Sequence, residues 1–246
     1  MIRHFSPSLL VFVLVLNFNG TQSAIGQMDA ELADAQRAGL ERSAEEMQRQ
    51  IDRLRERGVE GGEDAELFAK GLTWALKYDK RFTTADVGLL ENAVRRGSER
   101  ISALESGNRP WKTRRGKLAL AYRSTIDGSV QPYGVIVPKG YDARTPIRLD
   151  VVLHGSTRPV GMSELRFAAR FDEGDKDSVD PPDVPYLELH PLGRVENCYR
   201  WAGETDVFEA IEDVCRRYHI DRDRIVLRGM SMGASGTWHL GLKHPD

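Results

Sequence analysis

The segment RIVLRGMSMGASGTWHLGLKHPD, residues 224–246, decides the fold, because it places Ser231 between Gly229 and Gly233. The apolar run Ile225–Leu227 comes just before the first glycine and predicts a short buried strand. The residues after the second glycine predict a helix. A strand that ends at G-x-S-x-G and leads at once into a helix predicts a sharp turn with the serine at its tip.

The predicted turn explains the two glycines and indicates a chemical role for the serine. A residue at the tip has strained backbone dihedral angles. The residues two positions before and after it lie against the strand and the helix, so there is room only for glycine at these positions. The same turn raises the Ser231 hydroxyl above the sheet. It also directs free N–H groups at the start of the helix, including that of Met232, toward the space beside the hydroxyl. Because such donors and the helix dipole stabilise an oxyanion, Ser231 is the candidate nucleophile.

A second loop is expected beside this turn. The sequence LHGS, residues 153–156, follows a strand predicted over residues 147–153, whose apolar run lacks clean alternation, as in strands covered on both faces. In an α/β hydrolase, an N–H group from this loop completes the oxyanion hole, and Ser156, directly after the glycine, is the candidate donor. We expect His154 to be a structural hydrogen-bonding residue and not a catalytic one.

Short apolar runs separated by turn residues follow Gly116 and predict an α/β domain. The further predicted elements are strands at 118–122, 133–137 and 186–189, and helices at 163–171 and 205–218. The turn at Asp127 and Gly128 joins the first two strands as an antiparallel hairpin at a sheet edge. Alternation of strands and helices predicts a mainly parallel sheet.

These segments together resemble secreted α/β hydrolases, grouped with prolyl oligopeptidase-like serine peptidases, dienelactone hydrolases, and polyhydroxyalkanoate depolymerase or feruloyl esterase-like enzymes. The resemblance covers residues 122–246, through LDVVLHG at 149–155, WAGETDVFEAIEDV at 201–214 and YHIDRDRIVLRGMSMGASGTWHLGLKHPD at 218–246. It implies an α/β-hydrolase fold and a serine hydrolase that attacks an ester or amide carbonyl, without separating the two. The helical N-terminal region with GSVQPYGVIVP, residues 128–138, resembles the N-terminal region of exported members.

The chain departs from this family pattern after the serine. In this fold an Asp or Glu and then a His follow the nucleophile, whereas the chain ends at Asp246, where the next strand is expected. By helical rise alone, His239 and His244 lie about 12 and 20 Å from Ser231, beyond the roughly 3 Å of a proton transfer. We expect residues 118–246 to be the N-terminal part of a hydrolase domain whose acid and base lie further on. The alternative is a short, non-catalytic binding or interaction protein on the same scaffold.

Polar and aromatic residues follow the fourth predicted strand. His190 ends this strand, and Arg200 lies in the loop after it. Because loops at the carboxyl ends of strands border the cleft in such folds, His190 and Arg200 are candidate substrate-binding residues. Arg194 and Tyr199 lie in the same loop and are further candidates for substrate contact. Trp201 fits substrate contact or packing equally well.

Residues 27–108 have helical periodicity and predict a helical N-terminal region. Its apolar residues recur at helical spacing in three stretches, at 40–54, 65–76 and 83–104. We expect a packing module, with a partner-binding coiled coil as the alternative. The connector at residues 109–117 places five basic residues around Trp111 and is expected to be a solvated basic linker, since it is too short for a nucleic-acid site.

The N-terminal residues and the overall charge bear on location and partners. Arg3 and His4 precede the apolar run at 9–16, and small residues follow, which predicts a signal peptide over residues 1–26. The run is shorter than the roughly 20 residues of a membrane-spanning helix, so we expect a secreted or periplasmic protein with no stable membrane insertion after signal removal. The net charge of -2 at pH 7 gives no pull toward nucleic acid. The expected partner is a small ester or peptide substrate.

Cysteines and acidic residues indicate neither a disulfide nor a metal site. Cys198 and Cys215 are expected to be free thiols, because a loop-to-helix separation of about 15 Å exceeds the roughly 7 Å between Cα atoms that a disulfide allows. The acidic segment at residues 172–183 lacks the spacing of an EF-hand and is expected to be a solvated loop. No metal and no cofactor are predicted.

Overall fold

The computed structural model describes residues 32–157, 161–175, 180–194 and 196–245. The signal peptide predicted over residues 1–26 lies outside these ranges. Within them, no helix has both the length and the apolar character required to cross a bilayer.

Three helices form the N-terminal part of the described chain: α1 (Asp34–Glu56), α2 (Glu63–Tyr78) and α3 (Thr84–Glu105). Each lies where the apolar periodicity predicted it. The start of α3 is fixed by a capping box, in which the Thr83 hydroxyl accepts the Asp86 N–H and the Asp86 carboxylate accepts the Thr83 N–H. The three helices pack on one another, and α2 also packs against the first two strands of the sheet.

The sheet contains five described strands: β1 (Gly116–Arg123), β2 (Val130–Val137), β3 (Ile147–Leu153), β4 (Tyr186–Pro191) and β5 (Ile220–Gly229). Their order is β1-β2-β4-β3-β5. Strand β2 is antiparallel to β1 and β4, whereas β3 is parallel to β4 and β5. Four strands therefore share one direction, and the predicted hairpin at the sheet edge is confirmed.

Strand β5 begins earlier than the sequence predicted. Ile220 pairs with Ile147, and the register shifts before Ile225 pairs with Leu149. The four residues at 221–224 are charged, so this part of the strand contains no apolar run from which a strand could be predicted. The prediction of a strand limited to residues 225–227 is therefore too short.

Three helices cover the sheet: α4 (Ser163–Ala169), α5 (Ala202–Arg217) and α6 (Met232–Lys243). The ring of Phe171, just after α4, lies where a Cβ atom of Gly134 would be. The neighbouring Tyr133 donates its hydroxyl to Asp213 of α5, at 2.6 Å. Because successive strand residues point to opposite faces, α4 and α5 cover opposite faces of the sheet, and the predicted α/β class is confirmed.

Buried ion pairs connect α3 to the start of the acidic segment. The Arg96 guanidinium contacts Asp172 at 3.0 Å and Asp175 at 2.5 Å, and Arg100 contacts Asp175 at 3.1 Å. Both arginines are almost completely buried. The expectation of a solvated loop is therefore wrong for Asp172 and Asp175, because they neutralise two buried cations.

The connector at residues 109–117 is not a solvated linker either. Pro110–Thr113 forms a 3-10 turn, and Trp111 and Arg114 are buried. The Trp111 indole donates to the Asp64 carboxylate at 2.9 Å. Burial of an aromatic ring of this size is favourable. The solvated linker was predicted because the residues around Trp111 are basic.

The two cysteines are free, as predicted. Cys198 and Cys215 are half-buried and unpaired. Burial raises the pKa of the Cys215 thiol, so this thiol is less reactive than an exposed one.

Candidate functional site

Ser231 lies in the turn between β5 and α6, as the sequence predicted. Its backbone has φ 55° and ψ -118°. Residues other than glycine rarely adopt a positive φ. The Gly233 N–H donates to the Met230 carbonyl at 2.9 Å, and the Ser235 N–H donates to the Ser231 carbonyl at 3.2 Å. These two bonds close the turn, and the Ser231 residue is exposed.

Two glycines allow this turn because neighbouring backbone lies against them. A Cβ atom on Gly233 would overlap the Leu153 carbonyl group. A Cβ atom on Gly229 would overlap the carbonyl group of Gly233 and lie 2.8 Å from the Thr237 hydroxyl. The strand, the turn and the helix can therefore approach this closely only with glycine at both positions.

The loop after β3 lies directly beside the serine. A Cβ atom added to Gly155 would be 3.3 Å from Ser231 Cβ and 3.8 Å from Ser231 Oγ. The Ser156 hydroxyl lies 3.8 Å from the sulfur of Met232. The structure thus brings together Ser231, Met232 and Ser156, for which the sequence predicted one joint role.

His154 and Tyr199 hold this loop in place. The His154 ring has Nδ1 at 2.7 Å from the Gly155 carbonyl and Nε2 at 2.9 Å from the Leu192 carbonyl, which confirms its expected structural role. The Tyr199 hydroxyl accepts the His154 N–H at 2.7 Å and donates to the His154 carbonyl at 3.2 Å. Burial raises the pKa of Tyr199 above its usual range, so the hydroxyl keeps its proton. Tyr199 is fully buried, and its expected substrate contact is therefore wrong.

Asp206 of α5 supports the neighbouring turn, a role that sequence reasoning missed. Its carboxylate accepts the Gly193 N–H at 2.7 Å and the Tyr122 hydroxyl at 2.5 Å. Burial raises the pKa of Asp206 from 3.8 to about 6. Nothing in the sequence distinguishes Asp206 from an ordinary acidic residue on the solvated face of a helix.

The predicted substrate-binding residues His190 and Arg200 have no contact with Ser231 among the described interactions. His190 contacts Glu188 through Nε2 at 2.9 Å, and its ring packs on Phe171 with centroids 4.8 Å apart. Arg200 is exposed in the loop before α5. Neither residue lines the two cavities described below, and their role in substrate binding stays a prediction. Trp201 is exposed, so it does not pack in the core.

The described histidines are held by groups other than Ser231. His239 and His244 lie 3.0 and 2.9 Å from the Glu204 carboxylate. Hydrogen bonds from Lys243 and from His244 hold the pKa of Glu204 at about 2. His219 faces a backbone carbonyl with Nδ1 at 3.0 Å. Among the residues that the structure describes, none of the His, Cys, Asp and Glu side chains form a cluster suited to a metal ion.

Two neighbouring cavities lie beside the serine loop. The inner cavity, of about 450 Å³, is bordered by Ser156 and Met230, the residue before the serine. The outer cavity, of about 380 Å³, extends to Trp74 and Tyr78 on α2. The two share five lining residues and are therefore neighbours: His154, Thr157, Gly161, Ser163 and Leu192.

The sheet and the serine turn together define the class of fold. The strand order β1-β2-β4-β3-β5, the single antiparallel strand β2 among the described strands, and a strained serine between β5 and α6 give an α/β-hydrolase fold. The fold class predicted from the sequence is confirmed, including the helical region that precedes it.

No protein-family model matches the chain, and no curated protein sequence matches it. Among solved structures, a thermostable esterase is 25% identical and matches over 52% of this chain and 38% of that chain, with a TM-score of 0.36. Fluorophosphonate-binding serine hydrolase F of Staphylococcus aureus is 19% identical over 54% of each chain, with a TM-score of 0.40. A ferulic acid esterase from Anaeromyces mucronatus is 18% identical over 53% of this chain and 55% of that chain, with a TM-score of 0.36. The chain thus spans about half the length of these proteins or less.

Proposed function

We propose that residues 118–246 belong to a secreted or periplasmic serine hydrolase that cleaves ester or peptide bonds through Ser231. One observation carries this proposal: Ser231 is exposed in a strained turn at the start of α6, with the loop after β3 beside it. Such strain persists only where the surrounding structure enforces it, and it clusters at functional sites. The reaction type is that of prolyl oligopeptidase-like peptidases and carboxylesterases.

In the proposed reaction, the Ser231 hydroxyl gives its proton to a general base while Oγ attacks the carbonyl carbon of the substrate, and the carbonyl oxygen becomes an oxyanion. The backbone N–H groups of Met232 and Ser156 donate hydrogen bonds to this oxygen, which lowers the barrier. The tetrahedral intermediate expels the alcohol or amine, which takes up this proton from the base, and leaves an acyl group on Ser231. Water then attacks the acyl carbon and releases the acid.

We further propose that the catalytic Asp and His come from sequence beyond Asp246. The support is that, among the described residues, each histidine ring has partners other than Ser231. A serine without a base is a weak nucleophile, so we expect the 246-residue chain alone to react very slowly. No cofactor takes part in this mechanism.

Labelling with a fluorophosphonate tests the proposal. We expect a protein that contains this chain and the sequence following it to form a covalent adduct at Ser231, located by mass spectrometry. Ser231→Ala should abolish the adduct. Ser235→Ala, one turn further along α6, is the matched control and should keep it. An inert protein, or an adduct that survives Ser231→Ala, contradicts the proposal and favours a non-catalytic binding protein.

A further inference from the structure

A third cavity, which we call the basic cavity, lies where the helical region meets the sheet, and Lys112, Arg216 and Tyr218 are among the residues that border it. Its volume is about 430 Å³, and its walls come from the turn before α2, the connector, β1 and the end of α5. Tyr218 lies just before β5 begins, whereas Ser231 lies just after β5 ends. Because β5 spans about 30 Å, the basic cavity is separate from the two cavities beside the serine loop.

Two carboxylates at the basic cavity are neutralised by the protein itself. Asp64 accepts hydrogen bonds from the Trp111 indole at 2.9 Å and from Arg217 at 2.7 Å. Asp213 accepts hydrogen bonds from the Tyr133 hydroxyl at 2.6 Å and from Arg217 at 2.8 Å. Their negative charge is therefore directed at groups of the protein and not at the open space of the cavity.

Three basic side chains at the cavity keep donors that a ligand can use. Among the described residues, none accepts a hydrogen bond from the Lys112 ammonium. Arg216 donates from Nη2 to Asp213 at 2.9 Å, and Arg109 donates from Nη1 to Glu60 at 3.3 Å. A guanidinium has five N–H donors, so both arginines keep most of theirs. In all, four basic and three acidic residues border the cavity, which leaves positive charge in excess.

Tyr218 adds a hydroxyl that has no partner. The residue is only 6% exposed, and its ring packs edge-on against Tyr141 with centroids 5.6 Å apart. Among the described residues, none forms a hydrogen bond with this hydroxyl, yet it is not one of the unpartnered atoms that are closed off from solvent. The hydroxyl therefore reaches open space, and the space that Tyr218 borders is the basic cavity. Burial raises the pKa of Tyr218, so the hydroxyl keeps its proton and can donate it in a hydrogen bond.

These donors favour an anion that has several charged oxygens. The excess positive charge repels a cation, and an apolar ligand would displace water from charged groups without replacing its hydrogen bonds. A neutral polar ligand gains no Coulomb attraction. A carboxylate has two oxygens and one charge, whereas a phosphate group has three terminal oxygens and nearly two charges at pH 7. The phosphate group thus matches three basic side chains and a hydroxyl better than a carboxylate does.

We propose that the basic cavity binds a ligand with a phosphate group, which is held by Arg109, Lys112, Arg216 and the Tyr218 hydroxyl. The ligand connects the connector to the end of α5, so its binding stabilises the packing of the helical region on the sheet. This proposal does not rest on the proposed function of Ser231, which lies at the other end of β5.

Calorimetric titration with inorganic phosphate and with glycerol 3-phosphate tests the site, in a protein that contains this chain and the sequence following it. We expect saturable binding of at least one probe, weakened by added salt. The tighter probe shows whether the site takes free phosphate or a phosphorylated molecule. Tyr218→Phe should raise Kd at least about tenfold, as expected for losing a hydrogen bond to a charged group. Lys112→Ala should raise Kd at least about threefold.

Three controls keep the result interpretable. Lys139→Ala removes an exposed lysine outside the cavity and should leave Kd unchanged. Glycerol, the probe without its phosphate group, should not bind. Tyr218→Phe removes no hydrogen bond within the described chain, so its urea midpoint without ligand should match that of the unchanged protein.

Three results would overturn the proposal: no saturable binding of either phosphate probe, glycerol binding as tightly as glycerol 3-phosphate, or equal Kd values for the unchanged protein and Tyr218→Phe. The last of these would place the anion elsewhere on the surface. Fluorophosphonate labelling of Ser231 is unaffected by any of these results, so the two proposals fail separately.

Discussion

Ser231 adopts φ 55°, which costs a residue with a side chain of the order of 1–3 kcal/mol. The hydrogen bonds from Gly233 and Ser235 hold it there, and the helix that follows fixes the direction of its side chain. Strain of this kind is retained where the position of one atom matters. At the scale of single residues, the local sequence therefore determines the position of the Ser231 hydroxyl.

Asp206 gives a pH-dependent prediction at the same scale. Its folded-state pKa of about 6 lies above the ordinary 3.8, so the folded protein holds this proton more tightly than the unfolded chain. Its contribution to stability is therefore complete below about pH 4 and is lost as the pH rises to about 6, by up to about 3 kcal/mol. Urea unfolding at pH 4 and pH 7 measures the effect, with Asp206→Asn as the reference. A difference between the two proteins that stays constant, or that favours Asp206 more at pH 7, contradicts the assignment.

At the scale of elements, the serine turn depends on how closely β3, β5 and α6 approach. A Cβ atom at Gly233 would overlap the Leu153 carbonyl at the end of β3. Gly233→Ala should therefore separate these elements and destabilise the protein by about 3 kcal/mol or more, as overpacking against rigid backbone does.

Gly241→Ala, in the same helix, is the matched control. A Cβ atom at Gly241 meets nothing within 4 Å. This change should be neutral or stabilise the protein by up to about 1 kcal/mol through helix propensity. Thermal unfolding of both variants measures the contrast. Equal stability of the two would show that the close approach at Gly233 is not required.

Sequence reasoning identified most elements, because their signals are local. The G-x-S-x-G turn and the apolar periodicity of the helices each depend on residues near one another in the chain. Sequence reasoning failed where a partner distant in the chain makes a polar or aromatic residue buried. Asp172 and Trp111 look like solvated loop residues until α3 and Asp64 are placed beside them.

The residues around the candidate site show the same division. Ser231, Met232 and Ser156 were predicted because each lies in a motif of a few residues. Trp74 and Glu164 were not, because α2 and α4 are distant in sequence and only folding makes them line one cavity. In the sequence, the only signal for Trp74 is that the helical spacing places this tryptophan outside the apolar face of its helix.

At the scale of the whole molecule, α3 is joined to the segment after α4 by the buried Arg96 and its two carboxylates. Arg96→Met leaves Asp172 buried without its cation, and this should destabilise the protein by about 3–5 kcal/mol. Arg95→Met is the neighbouring control. It removes a surface pair with Glu99 and an exposed hydrogen bond to Asn92, and should cost less than about 1 kcal/mol. Chemical denaturation compares the two, and equal effects would show that the Arg96 pairs do not hold these parts together.

The most direct test of the central claim is the acidity of a thiol placed at the serine position. In a background that replaces Cys198 and Cys215 by Ser, Ser231→Cys puts a sulfur at the N-terminal end of α6, and Leu242→Cys puts one at the exposed C-terminal end. The amide donors and helix dipole favour a thiolate only at the first position. The pH dependence of iodoacetamide alkylation gives both pKa values. We predict a pKa below about 7.5 at position 231 and above about 8.5 at position 242. A thiol at position 231 that titrates as high as the one at position 242 would contradict an oxyanion-stabilising pocket beside Ser231.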